Sequence, residues 1–91
     1  MSEEGDIQRG IMQMLRDRGA LVFRMNSGMT KHNVRLAPAG TPDLLVIEPH
    51  HRFWIEVKTP KGKLNDDQKA MHEQLERYGE EVIVARSVDD V

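Results

Sequence analysis

Residues Gly40–Lys58 read GTPDLLVIEPHHRFWIEVK, and the arrangement of the rest of the chain follows from them. They hold two short apolar runs, Leu44–Ile47 and Phe53–Val57, joined across Pro49-His50-His51-Arg52. β-Branched and aromatic residues bounded by turn formers signal strands, so the runs are expected to pair as a hairpin. Asp43 opens the first strand, and the second closes on Glu56-Val57-Lys58. Strand side chains alternate faces, which sets Glu56 and Lys58 on one side and Ile55 and Val57 on the other. A two- or four-residue turn pairs Asp43 with Lys58 and Leu45 with Glu56. All three charged residues then share one face, with Asp43 diagonal to Glu56. A three-residue turn would scatter them. Two carboxylates and an ammonium are costly to bury at the end of an apolar hairpin, and a divalent cation between the carboxylates relieves that cost. The alternative is an ion pair between Lys58 and the acids on an exposed face. The runs LLVI and FWIEV argue against it, because a solvated face should be more polar.

Upstream, residues 3–18 have helical spacing, with Ile7, Ile11, Met14 and Leu15 on one stripe and Gly19 as the C-cap. The same stripe continued backward lands on Glu4. This acid either reaches the sheet or is a solvated first-turn carboxylate favoured by the helix dipole, with Glu3 and Asp6 as neighbouring substitutes. Ala20–Met25 reads as a strand, with Leu21 and Phe23 on one face and Val22 and Arg24 on the other. From Asn26 to Thr41 the periodicity dissolves. Loops of this length are uncommon in compact domains; Lys31 and Arg35 suit phosphate contacts, or the segment is simply solvated. Val34–Leu36 is a candidate short strand.

Downstream, Thr59-Pro60-Lys61-Gly62-Lys63 is a turn carrying two lysines. Asn65 is the expected N-cap of a second helix running to about Tyr78, with Gln68 placed for a capping box. The apolar stripe Met71, Leu75 and Tyr78 leads back to Gln68, which is thus either a buried polar group near Lys58 or only the capping partner. Glu81–Ala85 reads as a last strand covered on both faces, and Ser87–Val91 as an acidic tail without further signal. Strand–helix–strand from Phe53 to Ala85 has the length of a parallel crossover. The expected fold class is therefore α/β, a mixed sheet flanked by helices in the order α-β-β-β-α-β.

Ninety-one residues suit one domain, 1–91, with a modest core, and a core that small makes self-association attractive. The absence of cysteine excludes a disulfide framework or a thiolate zinc site. A formal charge of −2 does not fit a protein that simply coats phosphates, so any DNA contact must come from local cations. No apolar run approaches a membrane span, and MSEEGDIQ lacks signal-peptide character, so a cytoplasmic protein without membrane contact is expected. His32, His50, His51 and His72 have no neighbouring ligand at metal spacing and are expected on the surface, while Trp54 is expected in the core.

Gly40-x-Pro42-Asp43, then Glu56-Val57-Lys58, then Gln68 in the following helix resemble the virus-type replication-repair nuclease (VRR-NUC) domain. That domain belongs to the PD-(D/E)xK superfamily, with the restriction-endonuclease fold. GTPDLLVI, EVKTPKGKL, Gln68 and a first-helix acid fall in the family's order, and the resemblance runs from Glu4 to the last strand. It implies a phage-type, standalone, metal-dependent DNA nuclease acting on branched DNA such as a Holliday junction. Asp43 and Glu56 would bind Mg²⁺ or Mn²⁺, with the Val57 carbonyl and water completing the shell and Glu4 contributing directly or through water. Lys58 would orient the attacking water or stabilise developing charge, and Gln68 would steady Lys58 or a phosphate oxygen. Lys31, Arg35, Lys61 and Lys63 are the candidate DNA contacts. The resemblance also implies a two-fold dimer matched to a two-fold junction, with the first helix and the hairpin edge as candidate interfaces. A flap or nicking nuclease, or a non-catalytic binding module of the same fold, are the alternatives.

Overall fold

In the computed structural model, which describes residues 3–25 and 37–91, the elements follow the expected order. They are α1 (Glu3–Asp17), β1 (Leu21–Arg24), β2 (Leu44–Glu48), β3 (His51–Val57), α2 (Asp66–Arg77) and β4 (Val82–Ala85), closed by a short 3₁₀ turn over Val88–Asp90. The strands form one sheet in the order β1-β2-β3-β4. β1, β2 and β3 are antiparallel neighbours, and β4 runs parallel to β3 after the α2 crossover. Lys31, His32, Arg35 and the candidate strand Val34–Leu36 lie outside the described residues.

The hairpin turn has two residues, one of the expected lengths, but it is centred one position earlier than the expected pairing requires. Only Pro49 and His50 separate the strands, so Glu48 pairs with His51 and Leu44 with Ile55. Pro49 presets its own φ, and His50 takes a positive φ of 65°. The register thus differs by two residues from the expected one, and continuing the ladder sets Asp43 across from Glu56 instead of Lys58. A slip of two leaves every side chain on its face, so the grouping of the acids survives.

One sheet face carries Leu44, Val46, Phe53, Ile55, Val57 and Ala85, all buried against Ile11, Met12 and Leu15 of α1. Met12 joins this core although it lies off the stripe read from the sequence, while Ile7 and Met14 pack only partly against it. The C-terminal tail is structured: Asp90 accepts hydrogen bonds from the Arg86 and Ser87 amides, and Val91 packs on the core.

Among the described elements, α2 covers the opposite face over β3 and β4. Its inward residues are Gln68, Met71, His72 and Leu75, whereas Tyr78 is 78% exposed and lies off the buried stripe. On the β1–β2 half of that face, Leu21 pairs with Ile47 and Phe23 with Leu45. Leu21, Phe23 and Ile47 remain 60%, 47% and 37% exposed. As an edge strand β4 is only half-buried. The hairpin has no free edge, because both its strands are interior to the sheet, so the expected dimer contact along it is not available.

Candidate active site

Three backbone devices bring the charged residues together. The first is the turn before β2, where the Thr41 amide and hydroxyl both bond the Pro38 carbonyl, at 3.2 and 2.6 Å. Gly40 takes φ +84° there, the positive value that a type II turn requires at its third residue. A Cβ on Gly40 would lie 2.1 Å from the Asp67 carbonyl oxygen. The glycine therefore lets the first turn of α2 approach the start of β2. The second device is at the end of the hairpin, where Asp43 Oδ2 accepts the Val57 amide at 2.7 Å and its carbonyl accepts the Met25 amide at 2.8 Å. The acid is thus fastened between β1 and β3. The third is the Asn65 cap. Asn65 accepts from the Gln68 amide at 2.8 Å, and Gln68 Oε1 accepts from the Asn65 amide at 3.0 Å.

Glu56 is the centre of the site, with only 2% of its surface exposed. His72 Nε2 is 3.0 Å from its Oε1, and Gln68 Nε2 donates to its Oε2 at 3.4 Å. Gln68 therefore caps α2 with its oxygen, as expected, and with its nitrogen holds Glu56, a contact the sequence reading did not foresee. Residues four apart on a helix share a face, and this spacing brings Gln68 and His72 to one carboxylate. His72 is 7% exposed, which corrects its placement on the surface. The stripe that led to Gln68 also passes through His72, and that was the available signal. Among the described residues no buried side-chain nitrogen or oxygen lacks a partner.

Burial pushes the Glu56 carboxyl up to about 9 from an ordinary 4.5. A hydrogen bond and the charge of Asp43 push the same way, Lys58 opposes, and the charge of Glu4 adds a smaller rise. Asp43, Lys58 and Glu4, three candidates spread over 55 positions of sequence, are thus all near enough to act on Glu56. Burial lowers the His72 imidazole, and Lys58 lowers it further against the opposing pull of Glu76 and Asp43. The Val57 amide donates to Asp43 Oδ2, which ties the end of β3 to this carboxylate.

Trp54 is half-buried on the same face, not in the core, and its indole donates to Glu80 Oε1 at 2.8 Å. Arg52 donates to the same carboxylate, and these two bonds hold Glu80 below the ordinary carboxylate range. Lys61 and Lys63 are exposed on the turn leaving the site. Arg86 anchors that turn by donating to the Thr59 carbonyl at 2.7 Å and the Gly62 carbonyl at 2.6 Å.

The donor set fits a hard cation. Asp43 and Glu56 are adjacent oxygen donors whose mutual repulsion is met by a shared proton or by a metal ion. Among the described residues no group of three or more histidine, cysteine, aspartate or glutamate side chains is disposed around one ion. Mg²⁺ keeps several waters and is commonly bound through one or two carboxylates plus substrate phosphates, so a pair is sufficient.

The mixed sheet, the crossover helix and the paired acids at the hairpin end define an α/β fold of nuclease type. Residues 24–89 match the VRR-NUC domain model, and the chain belongs to the VRR-NUC family. It is similar to a solved structure described as a VRR_NUC domain, at 27% identity and a TM-score of 0.76, covering 98% of this chain and 89% of that one. A comparison with curated proteins gave no match. No helix among the described residues is long and apolar enough to cross a membrane.

Proposed function

We propose that this protein is a Mg²⁺- or Mn²⁺-dependent endonuclease that hydrolyses phosphodiester bonds in branched DNA, with the four-way junction as its preferred substrate over a flap. The observation that carries this reading is the Asp43 carboxyl set against the buried Glu56 carboxyl at the end of an apolar hairpin. A cation between them would supply Lewis acidity to the phosphodiester and a more acidic water. Asp43 and Glu56 would hold it, with Glu4 near enough to add its charge. Lys58, beside Glu56, would orient the water or offset charge building on the phosphate. Gln68 and His72 fix the rotamer of Glu56, so that the carboxylate is presented in one orientation. Lys61 and Lys63, on the anchored turn, would meet the phosphates flanking the site, and Lys31 and Arg35 would add contacts from their segment.

The protein would act as a two-fold dimer, because a junction with two-fold symmetry needs two identical cuts. The exposed apolar patch of Leu21, Phe23 and Ile47 supports a partner surface on the β1–β2 face. The test is incubation with Mn²⁺ against matched four-way, flap and linear duplex substrates. Cleavage of the junction that Asp43→Asn and Glu56→Gln each reduce by at least about a hundredfold is expected. Full activity in either variant would remove the site assignment. Binding without any cleavage would indicate a non-catalytic module.

A further inference from the structure

One groove outside the carboxylate site is lined, among the described residues, by Gly5, Gln8, Arg9, Met12, Gln13 and Arg16 of α1 and by Arg24 of β1. Its volume is about 330 Å³. The α1 residues recur at the spacing of a single helix face, adjacent to the face that packs in the core. Arg24 pairs with Leu44, which puts it on the sheet face that α1 covers. That face is apolar through Val46, Leu44, Phe53, Ile55 and Val57, turns polar only at the hairpin turn with Glu48 and His51, and at its open end offers a guanidinium.

The geometry points to this groove as a track for the phosphates of a DNA strand running out of the carboxylate site, an inference that rests on the nuclease reading. The groove lies on the α1 side of the sheet and the carboxylates on the α2 side, and both walls lead to the sheet end where the two sides meet. Gly5 follows Glu4, whose charge is felt by Glu56, and Arg24 precedes Met25, whose amide bonds the Asp43 carbonyl. Gly5 to Arg16 spans about 16 Å along the helix axis, the axial rise of about five nucleotides of one strand. Arg9 and Arg16 are two turns apart, roughly 10 Å, too far to close on one small anion and suited to a repeating one. Arg9 already pairs with Asp6, and Gln13 donates to Asp17, which leaves Arg16 and Arg24 as the cations that define the track. Among the described residues, neither Arg16 nor Arg24 has a side-chain ion pair or hydrogen bond. Between the arginines, Gln8 and Gln13 are uncharged and sequence-neutral, as backbone contacts require.

The test is DNA binding in EDTA, where no cleavage occurs, followed across a salt series for the full chain and for Arg16→Gln combined with Arg24→Gln. Weaker binding to every branched and linear DNA tested is expected, with the slope of log affinity against log salt reduced by about 1 per arginine. Lys69→Gln, on the exposed face of α2, should leave both quantities unchanged. Mn²⁺ affinity and thermal midpoint should match wild type in the double variant. Wild-type affinity and slope in the double variant would overturn the inference, as would a loss accompanied by unfolding. The nuclease reading fails separately: wild-type protein that binds DNA through these arginines but cuts nothing in Mn²⁺ removes the enzyme and leaves the groove.

Discussion

The buried carboxyl of Glu56 carries a stability cost that depends on pH. It titrates near 9 in the folded protein against an ordinary 4.5, so its contribution is fully present below about pH 4.5. Stability then falls as pH rises toward 9, because the unfolded chain has already released the proton that the folded protein retains. Glu56→Gln keeps the shape and removes the charge. It is expected to flatten this dependence and to stabilise the metal-free protein at pH 8 by on the order of 2–4 kcal/mol, read by urea denaturation between pH 5 and 9. Identical pH slopes in the two proteins would place the pH dependence elsewhere. His72 bears on the same carboxylate. His72→Leu keeps the volume and removes the hydrogen-bond partner of Glu56, and Mn²⁺ affinity should drop about 10- to 100-fold, while His72→Gln should stay near wild type. Three equal affinities would make the contact mere packing. Asp43, Glu56, Lys58 and Gln68 were legible as residues because strand alternation and helix spacing set their faces. His72 was expected on the surface although it lies on the helical stripe through Gln68, because its partner Glu56 is on a separate element and no local spacing links the two.

At the level of elements, the site depends on how closely α2 approaches the turn before β2. Gly40 permits it through both its positive φ and its missing Cβ. Gly40→Ala should therefore cost more than about 2 kcal/mol, and a denaturation midpoint indistinguishable from wild type would count against this account of the docking. The hairpin shows where the sequence stops being specific. Pro49-His50-His51-Arg52 admits more than one even-length turn, and the letters do not select the tight one with His50 at positive φ. Faces were readable because they depend only on parity, whereas register depends on the turn's backbone. The 3₁₀ turn at Val88–Asp90 was missed for a related reason: one turn held by Asp90 has no periodicity to read.

For the whole molecule, the strand order and the parallel β3–β4 pair follow from a crossover with enough length for a helix. What the sequence left open was which apolar surface stays uncovered. Alternation put Leu21 and Phe23 on one face, but only the position of α2 over β3 and β4 leaves that face bare on β1 and β2. If the patch is the two-fold interface, light scattering should give a dimer for wild type and a monomer for Phe23→Glu with its fold retained. A wild-type monomer that still cuts junctions symmetrically would contradict the dimer. The proposed hydrolysis needs a cation in place of the proton between Asp43 and Glu56, and calorimetric titration with Mn²⁺ at pH 8 in buffers of different ionisation enthalpy tests this directly. The expected result is saturable binding with net proton release on the order of one per site, lost in Glu56→Gln. Binding without proton release, or undiminished in Glu56→Gln, would contradict it.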